Sequence, residues 1–76
     1  MQTTAADTRH AVTVRVNDYL WRVTANDGFV FGHIERVPTP QGDRYEAKRY
    51  QLAASRFVAR GRFWRFDDAV DCLRFG

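Results

Sequence analysis

The stretch YLWRVTANDGFVFGHIERV, residues 19–37, decides the fold. Tyr19–Thr24 alternates, with Tyr19, Trp21 and Val23 on one face and Leu20, Arg22 and Thr24 on the other. Period-two alternation of this kind is the pattern of a half-buried strand. Asn26-Asp27-Gly28 interrupts it. Asp-Gly between two aromatic-rich runs marks a hairpin turn, because glycine takes positive φ without a steric cost. The second run places Phe29, Phe31, His33, Glu35 and Val37 on one face, with Val30, Gly32, Ile34 and Arg36 on the other. A glycine in mid-strand, Gly32, signals a bulge or a close approach by another backbone.

Upstream, Ala11–Val16 also alternates, with Val12, Val14 and Val16 set against Thr13 and Arg15. It predicts a strand with one buried face, followed by a turn at Asn17-Asp18. Residues 1–10 are polar and read as a flexible tail. Downstream, two prolines and a glycine within 38–43 predict a loop. Arg44–Tyr50 resumes the alternation, with Tyr45, Ala47 and Arg49 against Arg44, Glu46, Lys48 and Tyr50. Gln51–Arg60 fits either a short helical turn or an irregular crossing. Gly61 breaks it, and Arg62–Phe66 has room for one last short strand. Asp67 suits a helix N-cap and Asp68 the positive end of the helix dipole. Ala69, Val70 and Leu73 then share one helical face, Arg74 suits the last turn, and Gly76 the position just past it. The expected fold class is α+β: a three- to four-stranded antiparallel sheet with a short C-terminal helix packed on one face. Residues 11–76 would form a single domain.

Composition narrows the function. A chain of 76 residues buries only roughly 60–65% of its unfolded surface, so its core is thin. Such a domain builds a flat binding surface more readily than a deep catalytic cleft. Aromatics make up 14% of the residues, which argues against disorder. Cys72 is the single cysteine, so neither an internal disulfide nor a cysteine-based zinc site can form. It sits in the apolar helical pattern, where a small core residue is expected. No apolar run is long enough to cross a membrane. The first ten residues lack the apolar core of a signal peptide, and a reducing, cytoplasmic location is expected. His10 and His33 have no recognisable Ser or Cys partner. Asp67, Asp68 and Asp71 read as cap and dipole partners. No enzyme, metal site or cofactor is expected.

The charge carries the functional signal. The chain has a formal charge of +3, and Arg supplies every cation except Lys48. The segment Arg44–Arg65 concentrates seven cations (Arg44, Lys48, Arg49, Arg56, Arg60, Arg62 and Arg65) against one acid, Glu46. Tyr45, Tyr50, Phe57, Phe63 and Trp64 interleave with them. Cations with interleaved aromatics are the footprint of a nucleic-acid surface. The plain alternative is a solvated sheet face in an Arg-biased proteome, since charged strand faces and edges also resist aggregation. A third reading is a protein partner, for which Trp21, Phe31, Trp64 and Arg65 would be the anchors.

The order of elements resembles a known family. A strand, an Asp-Gly hairpin, a second strand, the basic-aromatic strand Arg44-Tyr45-Glu46-Ala47-Lys48-Arg49 and the terminal run Phe66–Leu73 are similar to the arm-type DNA-binding domains of phage and transposon integrases. Members lay a three-stranded sheet in the major groove and brace it with a C-terminal helix. Here the resemblance spans residues 19–73, with Gln51–Phe66 inserted and an extra N-terminal strand. It implies DNA contacts at Arg22, Arg36, Arg44, Lys48 and Arg49. Arg60 and Arg62 join them from the basic segment. The expectation is a small nucleic-acid-binding module, DNA favoured, of the kind used by phage or mobile-element regulators. The runner-up is a protein-interaction module. Either would be a monomer or a homodimer formed by strand addition.

Overall fold

The computed structural model describes residues 11–75; the expected tail at 1–10 and the helix stop at Gly76 lie outside them. Five strands follow one another as β1 (Ala11–Asn17), β2 (Leu20–Ala25), β3 (Val30–Thr39), β4 (Gly42–Gln51) and β5 (Arg56–Phe63). One helix, α1 (Phe66–Phe75), ends the chain. Every strand pairs antiparallel with the next, in the spatial order β1-β2-β3-β4-β5. The α+β class holds, but the sheet has five strands rather than three or four.

The extra strand comes from Gln51–Arg60, where neither a helical turn nor an irregular crossing forms. Gln51 pairs with Arg56, and the turn between them is closed by Ala54 N–H to Gln51 O and Ser55 N–H to Leu52 O. Ser55 takes a positive φ of 52°, so the reversal rests on a residue with no sequence signature for it. The strand expected at 62–66 ends instead at Phe63.

The other turns follow their chemistry. Gly28 has φ 92°, and Asp27 Oδ1 accepts from Phe29 N–H at 3.0 Å. Asn17 Oδ1 likewise accepts from Tyr19 N–H at 2.8 Å between β1 and β2. The loop expected at 38–43 shrinks to Pro40-Gln41, with Thr39 paired to Gly42 and Pro38 to Asp43 inside the strands. Pro38 is tolerated there because β2 pairs with β3 only as far as Leu20 opposite Glu35. Beyond that point its missing N–H leaves no ladder broken.

One face of the sheet holds the core. Opposed residues of an antiparallel pair share a face. Trp21, Ile34, Ala47 and Gly61 therefore form one row across β2–β5, with Val23 and Gly32 beside it. Val23, Ile34, Ala47, Ala69 and Leu73 are fully buried. Phe66, the first helical residue, meets Trp21 at 5.1 Å and Tyr45 at 5.6 Å between ring centroids, both edge-on. Small residues let α1 sit close. A Cβ built on Gly32 would lie 2.2 Å from Lys48 O and 3.1 Å from Leu73 Cδ2. A register shift opposite Val23 and Thr24 adds the bulge that the mid-strand glycine foretold.

Two expectations fail here. The helix begins at Phe66, with Arg65 O accepting from Ala69 N–H. Asp67 and Asp68 are therefore first-turn residues, and Asp67 is not the N-cap. The valine face of β1 is not buried. Val12 and Val14 oppose Thr24 and Arg22 on the face opposite the helix, where no layer of the described residues covers them, and Val16, skipped at an irregularity of the β1–β2 pairing, is exposed as well.

Candidate nucleic-acid interface

The face turned away from α1 is the candidate surface. Its first row, set by register, is Val14, Arg22, His33, Lys48 and Ala59. The next is Leu20, Glu35, Glu46 and Arg62. The third joins Val37 to Arg44. Arg44 lies against Trp64, with its guanidinium carbon 4.4 Å from the ring centroid. Four cations thus share this face: Arg22, Arg44, Lys48 and Arg62.

Two carboxylates sit among them. Glu35 and Glu46 are directly opposed, which repels unless cations intervene. Lys48 Nζ pairs with Glu35 Oε1, and Arg62 Nε with Glu46 Oε2 at 3.3 Å. Partly exposed pairs of this kind contribute about 0–1 kcal/mol each, so they are exchangeable. Arg44 donates from Nη2 to Arg62 O at 3.0 Å. Arg22 is exposed and makes no hydrogen bond or ion pair among the described residues.

A shallow depression of about 350 Å³ opens on the same face, lined by Tyr19, Leu20, His33, Glu35, Lys48 and Phe57 among others. His33 stacks on Phe57 at 4.3 Å, and Phe57 meets Tyr50 at 5.2 Å. Burial holds the His33 imidazole below its ordinary value of 6.5, and the charges of Arg22 and Lys48 add to the effect. The ring is therefore neutral near pH 7.

The remaining predicted residues lie elsewhere. Arg49 is on the helix side and donates from Nη2 to Leu73 O at 2.6 Å, satisfying a carbonyl in the last turn of α1. Arg36 opposes Tyr45 on that side, 3.8 Å from Asp43 and over the Tyr19 ring. Arg60 is exposed at the β4–β5 irregularity, skipped between Ala59 and Gly61. Of the four protein-partner anchors, Trp21 and Phe31 pack against the core. Trp64 is 54% exposed, and Arg65 is exposed with Asp67 Oδ2 at 3.8 Å.

Sequence reading missed the carboxylate pair and the place of His33 in the basic row. The signal was present in the alternation: Arg22, His33 and Lys48 each belong to the face opposite Val23, Ile34 and Ala47. Combining those faces needed the registers between strands, which are set by turn lengths. Comparison of the chain with protein-family models, curated proteins and solved structures finds no match. Among the described residues, no cluster of His, Cys, Asp or Glu could hold a metal ion, and no helix is long and apolar enough to cross a membrane.

Proposed function

We propose that this protein binds nucleic acid, DNA in the first instance, through the sheet face opposite α1. One observation carries the reading: α1 covers one face, while the other is left open by the described residues, with Arg22 on β2, Arg44 and Lys48 on β4 and Arg62 on β5 sharing it. Of the five contacts that the arm-type resemblance implies, Arg22, Arg44 and Lys48 lie on this face, and Arg36 and Arg49 do not. Arg22 and Arg44 are the foremost phosphate contacts; Lys48 and Arg62 join by exchanging a carboxylate for a phosphate oxygen. Trp64 and Phe57 offer rings against sugars or unpaired bases. Arg36 and Arg49 are withdrawn from the contact set, because their guanidinium groups are engaged on the helix side.

Phosphate contacts release counterions, so the logarithm of affinity falls with the logarithm of salt at about 0.9 per contact for duplex DNA. Titration of a labelled random-sequence duplex by fluorescence anisotropy at several salt concentrations should give a slope of about −2 to −4. Arg22→Ala should lower the slope by about one and weaken binding, with little change in melting temperature at neutral pH. Arg49→Ala should do the reverse, lowering the melting temperature and leaving the slope intact. Absence of binding at low salt sinks the proposal. Salt-independent binding to a protein, with Trp64→Ala abolishing it, would establish the partner-masking reading in its place.

A further inference from the structure

The open face carries two features that holding phosphates does not explain. The first is its carboxylate pair. Glu35 and Glu46 stand opposed in the middle of the face, and each repels the phosphates that its cations attract. Arg62 neutralises Glu46. Glu35 takes Lys48 on Oε1 and has no other hydrogen-bond partner among the described residues. The second is the depression of about 350 Å³, of which Glu35 forms one wall. Small-ligand sites occupy about 300–1,000 Å³, so this one has room for a single planar group. His33 and Phe57, with ring centroids 4.3 Å apart, give it an aromatic side, and Leu20 gives it an apolar one. Tyr50 meets Phe57 edge-on at 5.2 Å and braces that ring from beside.

We infer that the depression seats one unpaired guanine of a bound single strand, stacked on the His33–Phe57 rings and read by the Glu35 carboxylate. This rests on the nucleic-acid reading of the face and adds which base the face selects. An ionised carboxylate only accepts hydrogen bonds. Guanine alone offers two adjacent donors on its Watson–Crick edge, N1–H and N2–H, which match the two oxygens of one carboxylate. Thymine and uracil set a single donor between two acceptors. Adenine and cytosine set their donor beside an acceptor. In a duplex the guanine edge is taken by cytosine, so only an unpaired base can be read this way. Lys48 turning to a phosphate leaves Glu35 without its donor, and an acceptor left unsatisfied is costly. Guanine supplies the replacement, so the phosphate contact and the base contact favour each other.

Fluorescence anisotropy with labelled oligothymidylate, with and without one central guanine, tests the inference. The guanine strand should bind about ten-fold more tightly, the effect of hydrogen bonds to a charged group. Hypoxanthine in its place, which lacks the N2 amino group, should lose most of that gain. In a duplex, exchanging an adenine·thymine pair for guanine·cytosine should change nothing. Glu35→Gln gives a crossed result. It removes a negative charge, so plain oligothymidylate should bind more tightly, while the guanine preference should largely disappear. Phe57→Ala should weaken the guanine strand by about ten-fold, as the loss of one stacked base does. If that variant unfolds, Phe57→Leu keeps the apolar packing and removes the stacking plane. The same strands made as RNA identify the sugar, and a guanine preference in either backbone supports the inference. Equal affinity for guanine and thymine strands in both backbones overturns it, while salt-dependent binding of duplex would leave the nucleic-acid reading standing. Glu35→Gln tightening both strands alike also overturns it, because the carboxylate then only repels. No binding of any strand or duplex at low salt overturns both.

Discussion

His33 shows how one residue ties the candidate surface to stability. Its pKa in the folded chain lies below the ordinary 6.5, first through burial and then through Arg22 and Lys48. The unfolded chain therefore takes up the proton more readily than the folded one. The stability that His33 contributes is fully present above its unfolded pKa. It is lost as the pH falls through about 6.5 toward the lower folded value. Nucleic acid bound as proposed would reverse the sign, because a phosphate beside the Arg22-His33-Lys48 row favours the charged ring. Lowering the pH from about 7.5 to about 5.5 should therefore lower the melting temperature of the free protein while tightening binding. His33→Gln should remove both trends, as read by thermal melts and anisotropy at the two pH values. A variant that keeps the wild-type pH dependence would show that other groups carry it.

At the scale of elements, the packing of α1 depends on what the sheet leaves out beneath it. Gly32, Ala47 and Gly61 are small, and Leu73 fills the space over Gly32. Gly32→Ala brings a methyl group within 2.2 Å of the Lys48 carbonyl, and backbone on both strands must shift. Overpacking of this kind costs about 1–3 kcal/mol, which for a domain of this size lowers the melting temperature by roughly 4 °C to 20 °C. Gly28→Ala should be milder, since no atom lies within 4 Å and only its positive φ resists. Equal melts for Gly32→Ala and wild type would contradict the close approach. These same elements divide into legible and illegible. The Asp27-Gly28 hairpin, the alternation of β2–β4 and the apolar face of α1 can be read because each rests on local chemistry. β5 cannot, because its turn uses Ser55 at positive φ and its Ala-rich lead-in fits helix as well as loop. The exposed valines of β1 look buried in sequence, since alternation reveals two faces without saying which layer covers either. The candidate site suffers the same way: a run of cations in sequence is split by alternation between the open face and the helix face.

At the scale of the whole molecule, a core of five fully buried residues implies a small margin of stability. A ligand that binds only the folded state raises that margin by mass action, about 2.7 kcal/mol at one hundred times its dissociation constant. For a domain of this length, 1 kcal/mol moves the melting temperature by about 4–8 °C. Saturating duplex at low salt should therefore raise it by about 10–20 °C. The rise should vanish as salt is added, because counterion release sets the affinity. Arg22→Ala should reduce the rise with little change in the melt of the free protein at neutral pH, since Arg22 is exposed and makes no hydrogen bond or ion pair among the described residues. A thermal melt followed by circular dichroism, with and without duplex at low and high salt, reads all of these at once. A duplex that leaves the melting temperature unchanged at low salt would remove the nucleic-acid reading, because binding to so thin a fold cannot occur without stabilising it.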